Sequence, residues 1–204
     1  MCGRYQLLED QDIDEINRII AEVEANSAAL SVTAKFGEIY PTNRVPILMQ
    51  GNVFDKAGTN RVNIMHWGFP MGNKNIINAR SETAGEKRMF TGPLRNNRCV
   101  VPSTGFFEWK HSGKTKEKYR FIQPGRRMLY MAGISAKYRV KNSDVPADCF
   151  IILTRGSNSY MADIHDRMPV IIYEEEINNW IADASFVPFA LQRDTVALDR
   201  EPAV

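Results

Sequence analysis

Short apolar stretches, separated by turn residues, fill the middle of the chain and constrain the fold more than any other feature. Between residues 44 and 173 these stretches read RVPILMQG, RVNIMHWGF, NRCVVPSTGFFEW, YRFIQPGRRMLYMAGISAKY, DCFIILT and RMPVIIY. Their lengths and their β-branched and aromatic side chains are typical of strands, and WKHSGKTKEKYRF around Gly113 predicts a hairpin. The sequence therefore predicts a core made mainly of strands.

Helices are predicted on either side of this region. Residues 12–25 begin with a typical capping pair, Asp12 and Glu15, and carry apolar side chains at helical spacing: Ile13, Ile16, Ile19, Ile20 and Val23. A second helix is predicted from Glu174 to Asp183, with Ile177, Trp180 and Ile181 on one side, whereas the tail after Ser185 has no clear element. This order of elements predicts an α+β fold with a mainly antiparallel, barrel-like sheet and a few flanking helices.

The length and the cysteines bound the class of protein. With 204 residues, 44% of them hydrophobic, we predict a single domain over residues 1–204 with a peripheral tail from about 185. Three cysteines cannot all pair, and the first residues lack the basic start of a signal peptide, so we expect a cytoplasmic protein with reduced thiols. No apolar run reaches the length of a membrane span and no long heptad pattern demands a dimer, so we expect a monomer with no membrane role.

The charge is small in total and uneven along the chain. A net charge of +2 does not by itself indicate a nucleic-acid-binding protein. Cations crowd residues 80–127, however, whereas residues 9–24 carry much of the acid. Two interpretations stay open: a solvated hairpin flank balanced by an acidic helix, or a basic binding face.

Two stretches carry polar groups in a setting that suggests chemistry. If INARSET is extended, Asn78, Arg80 and Glu82 point to one face, which is either a polar binding site or a solvated strand surface. In GFFEW, aromatic neighbours enclose Glu108, and such a setting raises the pKa of a carboxyl toward the range useful for proton transfer. Glu108 is therefore a candidate general acid or base; the alternative is an edge-strand carboxylate that reaches water.

His165 is the histidine that stands among polar groups just before a predicted strand. It lies in DIHDRMPVII, between Asp163 and Asp166, where loops commonly present reactive side chains. A hydrogen-bonded structural histidine is the alternative. No pair of Cys or His residues has the spacing of metal ligands, so we expect neither a metal nor another cofactor.

Cys2 is the cysteine with a chemical argument, because Cys99 and Cys149 stand inside apolar strands as buried, inert thiols. A small residue after the initiator Met is the usual signal for removal of Met1, which would give Cys2 a free α-amine beside its thiol. Such an amine has a pKa of about 7.7–8.0 and is partly neutral in the cytoplasm. Amine and thiol together react with an aldehyde, first as a Schiff base and then as a five-membered thiazolidine.

Six motifs in order resemble the SOS response-associated peptidase (SRAP) family. They are MCGRY, WGF at Trp67, NARSET at Asn78, RCVVPSTGFFEW, ILT ending at Thr154 and IHDRMPVII, and they extend from residue 2 to about residue 172. The sequence has GFFEW where the family often has GFYEW, and STGF where ADGF is common. The loop between Trp67 and Asn78 is shorter than is typical of the family.

The resemblance implies an activity and four catalytic residues. Family members shield abasic sites in single-stranded DNA by forming a covalent DNA-protein crosslink. After loss of Met1, Cys2 would supply the amine and the sulfur, and Asn78 would hold the new terminus and the sugar in register. Glu108 would shuttle protons, and His165 would help to open the sugar by proton transfer at its ring oxygen.

The resemblance also implies DNA contacts. Phosphates would be bound by Arg4, Arg80 and Arg167, with Thr154 hydrogen-bonding beside them. A base would stack on Trp67, and Pro41 would line the DNA channel. No role follows for Glu82.

Two other functions fit the same residues. N-terminal cysteine amidohydrolases also begin Met-Cys-Gly and use the free amine as the base for the thiol, and the family's name itself records a peptidase activity, such as release of Met1 or reversal of the crosslink. In a non-catalytic nucleic-acid-binding module, by contrast, Cys2 would merely be packed.

Overall fold

The computed structural model describes residues 2–30, 33–51, 60–113, 115–141, 145–194 and 196–203. Its strands are β1 (Tyr5–Leu7), β2 (Gly37–Ile39), β3 (Arg44–Gln50), β4 (Asn60–Trp67), β5 (Phe69–Met71), β6 (Lys74–Ile76), β7 (Asn78–Arg80), β8 (Arg98–Ser103), β9 (Gly105–Ser112), β10 (Thr115–Ile122), β11 (Leu129–Tyr138), β12 (Ala147–Gly156), β13 (Arg167–Pro169), β14 (Ile171–Ile172) and β15 (Asp199–Pro202). Its helices are α1 (Asp14–Leu30), α2 (Ser81–Ala84), α3 (Arg88–Asn96), α4 (Ile177–Ala182) and α5 (Phe186–Gln192), with a 3-10 turn at Glu174–Glu176 before α4.

Five strands close into a barrel. The ring runs β12–β4–β3–β8–β11 and returns to β12, so that each member pairs with two others. Every pairing in the ring is antiparallel except that of β4 with β12, which is parallel. The α+β fold and the barrel-like, mainly antiparallel sheet are thereby confirmed.

The barrel closes tightly around an apolar interior. Ile47, Val101, Met131 and Phe150 come from four of its strands, share one face in the strand register and are fully buried. At Gly133 on β11, a Cβ atom would lie 2.9 Å from the sulfur of Cys99. Glycine therefore lets β11 approach its neighbours at a distance that any other residue would widen.

A second sheet positions the N-terminus. Its order is β15–β10–β9–β1–β2, so β1 lies between β9 and β2. Tyr5 is opposite Phe106, and the backbone N–H of Phe107 donates to the carbonyl of Arg4 at 2.9 Å. Continued by one more residue along each chain, this antiparallel register brings the first residues alongside Glu108.

The predicted helices are present with shifted ends. The first predicted helix begins at Asp14 rather than residue 12, continues to Leu30, and packs on β4 through Ile16, Ile19 and Val23. The second is the 3-10 turn followed by α4, with Trp180 fully buried. None of the helices in the described part of the chain has the length and apolar character that a membrane span requires.

The C-terminal segment differs from its prediction. The tail contains helix α5 and strand β15, which pairs with β10, and it buries Ala190, Val196 and Leu198. The expectation of a tail without a clear element is therefore wrong. No local signal marks this strand, because β15 reads DREP, with all four residues exposed, and becomes a strand only through its partner. The short helix α3, which contains Pro93, also went unpredicted.

Arg98 joins two helices to the barrel from inside the protein. It is 5% exposed, and its guanidinium donates to the carbonyls of Leu94 and Arg95 at the end of α3 and of Trp180 and Ile181 in α4, at 2.5–3.2 Å. Carbonyls in the last turn of a helix lack intrahelical partners. One cation therefore satisfies the ends of both helices.

Candidate active site at the N-terminal strand

Cys2 lies at the inner end of the N-terminal segment. It is fully buried, and Nδ2 of Asn78 donates to its carbonyl oxygen at 3.0 Å. Burial raises the pKa of the Cys2 thiol, and the negative charge of Glu108 raises it further. The thiol is thus protonated at rest, and a carboxylate stands close enough to influence it.

Glu108 is held away from bulk water. It is 5% exposed on β9, an inner strand of the second sheet, where it is opposite Tyr119 of β10. Phe106 and Phe107 beside it are buried as well. The alternative of an edge-strand carboxylate that reaches water does not fit, because Glu108 is buried and β9 pairs with β1 at its start as well as with β10.

Asn78 reaches Cys2 because the chain leaves the barrel and returns. After β4 ends at Trp67, the β5–β6 hairpin makes an excursion, and β7 then pairs with β12 in parallel with Asn78 opposite Ile152. The extended segment ends at Arg80, and α2 begins at Ser81. The conditional expectation that Glu82 shares a strand face with Asn78 and Arg80 is therefore corrected: Glu82 is on a helix, and Arg80 is exposed.

The turn that carries His165 is tied to the second sheet. Asp163 accepts from Nζ of Lys110 on β9 at 2.8 Å and from Arg200 on β15 at 2.5 Å. Lys110 is two residues from Glu108, and Asp163 is two residues from His165. These ion pairs link the strand of Glu108 to the turn of His165.

Two groups compete for Nδ1 of His165. The backbone N–H of Arg167 donates to it at 2.9 Å, and Oδ1 of Asp166 also lies 2.9 Å away. The amide requires an unprotonated Nδ1, whereas the carboxylate favours a protonated one. While the amide bond is made, the proton of a neutral ring is on Nε2.

Arg167 is engaged within the protein. Its guanidinium meets both oxygens of Glu82, at 2.6 and 2.8 Å, and donates to the backbone carbonyl of Thr154 at 2.7 Å. Its side chain is 12% exposed. Thr154 does lie beside Arg167, but its own side chain is fully buried, and its hydroxyl faces the carbonyl of Ala79 at 3.4 Å.

Arg4 lies between two aromatic rings. Its guanidinium carbon is 4.1 Å from the ring centre of Tyr40 and 4.9 Å from that of Trp109, and Glu38 pairs with it at 3.1 Å. Pro41 follows Tyr40 and is half-buried. Tyr40 and Glu38 were missed in the sequence, since a separation of more than 30 residues carries no local signal.

Trp67 does not lie at the surface. Its ring is fully buried against Tyr5 and Phe150, and its indole N–H donates to the carbonyl of Ile77 at 3.1 Å. The expectation that a base stacks on Trp67 is therefore corrected, because neither face of the ring is open. The WGF motif instead packs the N-terminal strand onto the barrel.

Many cations between residues 80 and 127 are paired. Lys110, Lys118, Arg120, Arg126 and Arg127 each form an ion pair. Of their carboxylate partners among the described residues, only Asp10, which pairs with Arg127, belongs to the acidic stretch of residues 9–24, so these cations are not balanced by the acidic helix.

A cleft of about 680 Å³ collects other cations. It is lined by Thr42, Arg44, His66, Pro70, Gly72, Asn73, Lys74, Asn75, Val140 and Lys141. Within the described residues no carboxylate lines it, and no ion pair involves Arg44, Lys74 or Lys141. Burial and the charge of Arg44 lower the pKa of His66. The cleft begins at Thr42, next to Pro41, and offers positive charge to an anion.

Among the described residues, no three His, Cys, Asp or Glu side chains are grouped as metal ligands.

The chain is similar to known proteins in sequence and in fold. The sequence model of the SOS response associated peptidase (SRAP) family matches residues 1–196. Two abasic site processing proteins of Bacillus subtilis are similar over 94% of this chain: YoqW is 31% identical with 85% of its length covered, and YobE is 30% identical with 87% covered. A crystal structure of a Bacteroides thetaiotaomicron protein superposes with a TM-score of 0.75 at 23% identity, over 98% of this chain and 91% of that one.

Proposed function

The chain belongs to the SOS response associated peptidase (SRAP) family, and from this membership we propose that it processes abasic sites in single-stranded DNA by crosslinking to them through Cys2. The similar Bacillus proteins are named for abasic site processing. The observation that carries the proposal for this chain is the burial of Cys2 beside Glu108, with Asn78 bonded to the Cys2 carbonyl.

The proposed reaction requires a free α-amine on Cys2. Met1, which must be removed first, lies outside the described residues. The amine adds to the aldehyde carbon of the open-ring sugar, and loss of one water leaves an imine. The sulfur then adds to the same carbon while the thiol proton ends on nitrogen, which closes the thiazolidine. The product weighs as much as protein and DNA together, less one water.

Glu108 is proposed as the group that moves these protons. Because burial and a nearby carboxylate keep the thiol protonated, a base must accept its proton as the sulfur attacks. Glu108 is the charged neighbour of that thiol and is itself nearly enclosed. A carboxyl in such a site can take a proton in one step and return it in the next.

The remaining residues are proposed to open and hold the sugar. His165, with its proton on Nε2, would donate to the ring oxygen of the closed sugar. Asn78 would fix the N-terminal residue, and Arg4 and Arg80 would contact phosphates. The basic cleft that begins beside Pro41 suggests a path for the flanking strand, because cations without a carboxylate partner favour a phosphate backbone.

The decisive experiment incubates the purified protein with an oligonucleotide that carries one abasic site. After heat denaturation, mass spectrometry should show an adduct of protein without Met1 plus DNA less one water. Cys2→Ala should give no adduct, whereas Cys149→Ala, which removes another buried thiol, should react normally. An oligonucleotide with a tetrahydrofuran abasic analogue, which has no aldehyde, should also stay unmodified.

Other outcomes would point elsewhere. An adduct that survives Cys2→Ala, or an active protein that retains Met1, contradicts the thiazolidine. Release of ammonia from glutamine without any DNA adduct would favour the amidohydrolase. Equal binding of abasic DNA by Cys2→Ala and wild type, with no covalent product, would favour the binding module.

A further inference from the structure

Glu82 is the polar residue of INARSET that the proposed chemistry leaves without a role. Its carboxylate makes a two-pronged ion pair with Arg167, at 2.6 and 2.8 Å. The Arg167 side chain is 12% exposed and that of Glu82 is 51% exposed, so Glu82 lies on the solvent side of the guanidinium. The hydrogen bonds from Arg167 lower the pKa of Glu82 to about 2, so the pair is intact near neutral pH.

Protein groups hold the Arg167 guanidinium through its two terminal nitrogens. Two of its terminal N–H groups meet Glu82, and Nη2 also donates to the carbonyl of Thr154 at 2.7 Å. The Arg167 side chain is therefore fixed in place by α2 and β12.

The backbone of Arg167 is the part that faces His165. Its N–H donates to Nδ1 at 2.9 Å, and the residue starts β13, where it is opposite Gly156 of β12. The side chain anchors this peptide to α2 through Glu82 and to β12 through Thr154. Displacement of the side chain would loosen the first peptide of β13, which holds the imidazole.

We propose that Glu82 is a positioning residue, which acts through Arg167 to keep the proton of His165 on Nε2. This inference rests on the proposed function, in which Nε2–H donates to the sugar. The Glu82–Arg167 pair holds the backbone amide on Nδ1. If that amide is released, Asp166 stays 2.9 Å from Nδ1 and draws the proton to that nitrogen. Nε2 then has no proton to give.

The segment that carries Glu82 also carries Asn78, which holds Cys2. Strand β7 presents Asn78 to the carbonyl of Cys2, and α2 follows at once with Glu82. One short stretch thus fixes the nucleophile through Asn78 and the acid through Glu82. This arrangement accounts for a carboxylate at that point of the motif.

The charges around His165 define what a pH experiment measures. They are Asp166 and Asp163 on its own turn, Lys110 on β9 and Arg200 on β15, which both pair with Asp163, and the Glu82–Arg167 pair of α2 and β13. Of these, Asp166 directly favours a proton on Nδ1. Its replacement should therefore oppose the effect of losing Glu82.

The first test needs no DNA. Two-bond ¹H–¹⁵N correlation spectra of labelled protein, at a pH where the imidazole is neutral, report which nitrogen carries the proton. Wild type should show the Nε2–H form, Glu82→Ala should shift His165 toward Nδ1–H, and the double variant Glu82→Ala/Asp166→Asn should return toward Nε2–H. Glu201→Ala, which removes a carboxylate of similar exposure from Arg120, should leave His165 unchanged. An unchanged tautomer in Glu82→Ala overturns the proposal.

The second test follows the crosslink. Glu82→Ala should slow adduct formation about tenfold or more near pH 7 and alter its pH profile, since general acid catalysis and the groups that orient the acid are worth factors of this order. Addition of Asp166→Asn to the Glu82→Ala variant should restore part of the rate of adduct formation. If Glu82→Ala does not fold, Glu82→Gln is used instead. Its amide oxygen still accepts one hydrogen bond from Arg167, so the rate and pH profile of adduct formation should change in the same direction but by less.

The two proposals fail in different ways. If wild type forms no crosslink, the proposed function is wrong, whatever the tautomer. If wild type crosslinks but Glu82→Ala and Glu82→Gln match its rate and pH profile, the role of Glu82 is wrong and the crosslinking chemistry stands.

Discussion

The Arg98 guanidinium and the Cys2 thiol are both buried polar groups, but Arg98 has hydrogen-bond acceptors around it, whereas Cys2 has a carboxylate nearby that disfavours its ionised form. Around Arg98, four carbonyls at the ends of two helices point at one cation at 2.5–3.2 Å. Around Cys2, burial raises the pKa of the thiol and the nearby Glu108 carboxylate raises it further. The first arrangement gives helix-end carbonyls a donor, whereas the second disfavours the ionised form of a buried thiol.

This difference separates stability from chemistry within one small protein. A buried cation that satisfies helix ends has no substrate to meet, and its removal should affect folding alone. A buried thiol beside a carboxylate is costly to fold and is useful only if protons must move there. Substitutions on the two sides should therefore change different measurements.

Glu108→Gln tests the Cys2 side and should have the largest effect. The amide keeps the shape of the side chain but cannot take a proton from the thiol, so the rate of crosslinking should fall about a hundredfold or more. The free energy of unfolding in urea should stay the same or rise, because a buried negative charge is gone. A wild-type rate would contradict the proton-transfer role.

Arg98→Met tests the other side. It keeps the apolar part of the side chain but leaves helix-end carbonyls without a donor, so unfolding should become easier by about 3 kcal/mol. In a protein of this size that loss lowers Tm by roughly 10 °C. The crosslinking rate of the folded fraction should not change. Arg126→Met, which removes an exposed cation with ion pairs of 3.4 and 3.6 Å, should leave Tm nearly unaltered.

The cations of the basic cleft, Arg44, Lys74 and Lys141, form a third group of charges, which contact neither the helix ends at Arg98 nor the Cys2 thiol. Arg44→Gln, Lys74→Gln and Lys141→Gln together should weaken binding of abasic-free single-stranded DNA and reduce the salt dependence of that binding by about 0.7 for each phosphate that the variant no longer binds. Crosslinking at saturating DNA should keep its rate. The matched control, Lys116→Gln, Arg126→Gln and Arg127→Gln, removes the same charge elsewhere. Equal weakening in both triple variants would mean that net charge, rather than the cleft, binds the strand.

Asp163 should show the smallest effect, which is visible only with pH. Hydrogen bonds from Arg200 and Lys110 lower its pKa from 3.8 to about 2. A depressed carboxyl pKa stabilises the folded state above the unfolded pKa, and this contribution is lost as the pH falls through both values. The difference in unfolding free energy between wild type and Asp163→Asn should therefore be largest above pH 4 and shrink toward pH 2. A difference that is constant over this range would contradict the ion pairs.

Much of the fold was readable in the sequence, and the failures of that reading have physical causes. The strand-rich middle, the α1 stripe and the hairpin at Gly113 depend on periodicity and turn chemistry, which are local. Strand β15 is polar and exposed, and it exists because β10 offers it hydrogen bonds. Trp67 looked like a binding surface because a sequence does not state which faces of a ring are covered.

The sequence by itself determined the residue types that the chemistry needs: a cysteine at position 2, a carboxylate among aromatic residues at 108 and a histidine among charges at 165. Only the tertiary structure decided which of them meet. Asn78 reaches the Cys2 carbonyl across 76 positions, and Glu82 reaches Arg167 across 85. Side-chain chemistry is a property of each residue, whereas proximity follows from strand pairing and register, which the packing of the whole barrel selects.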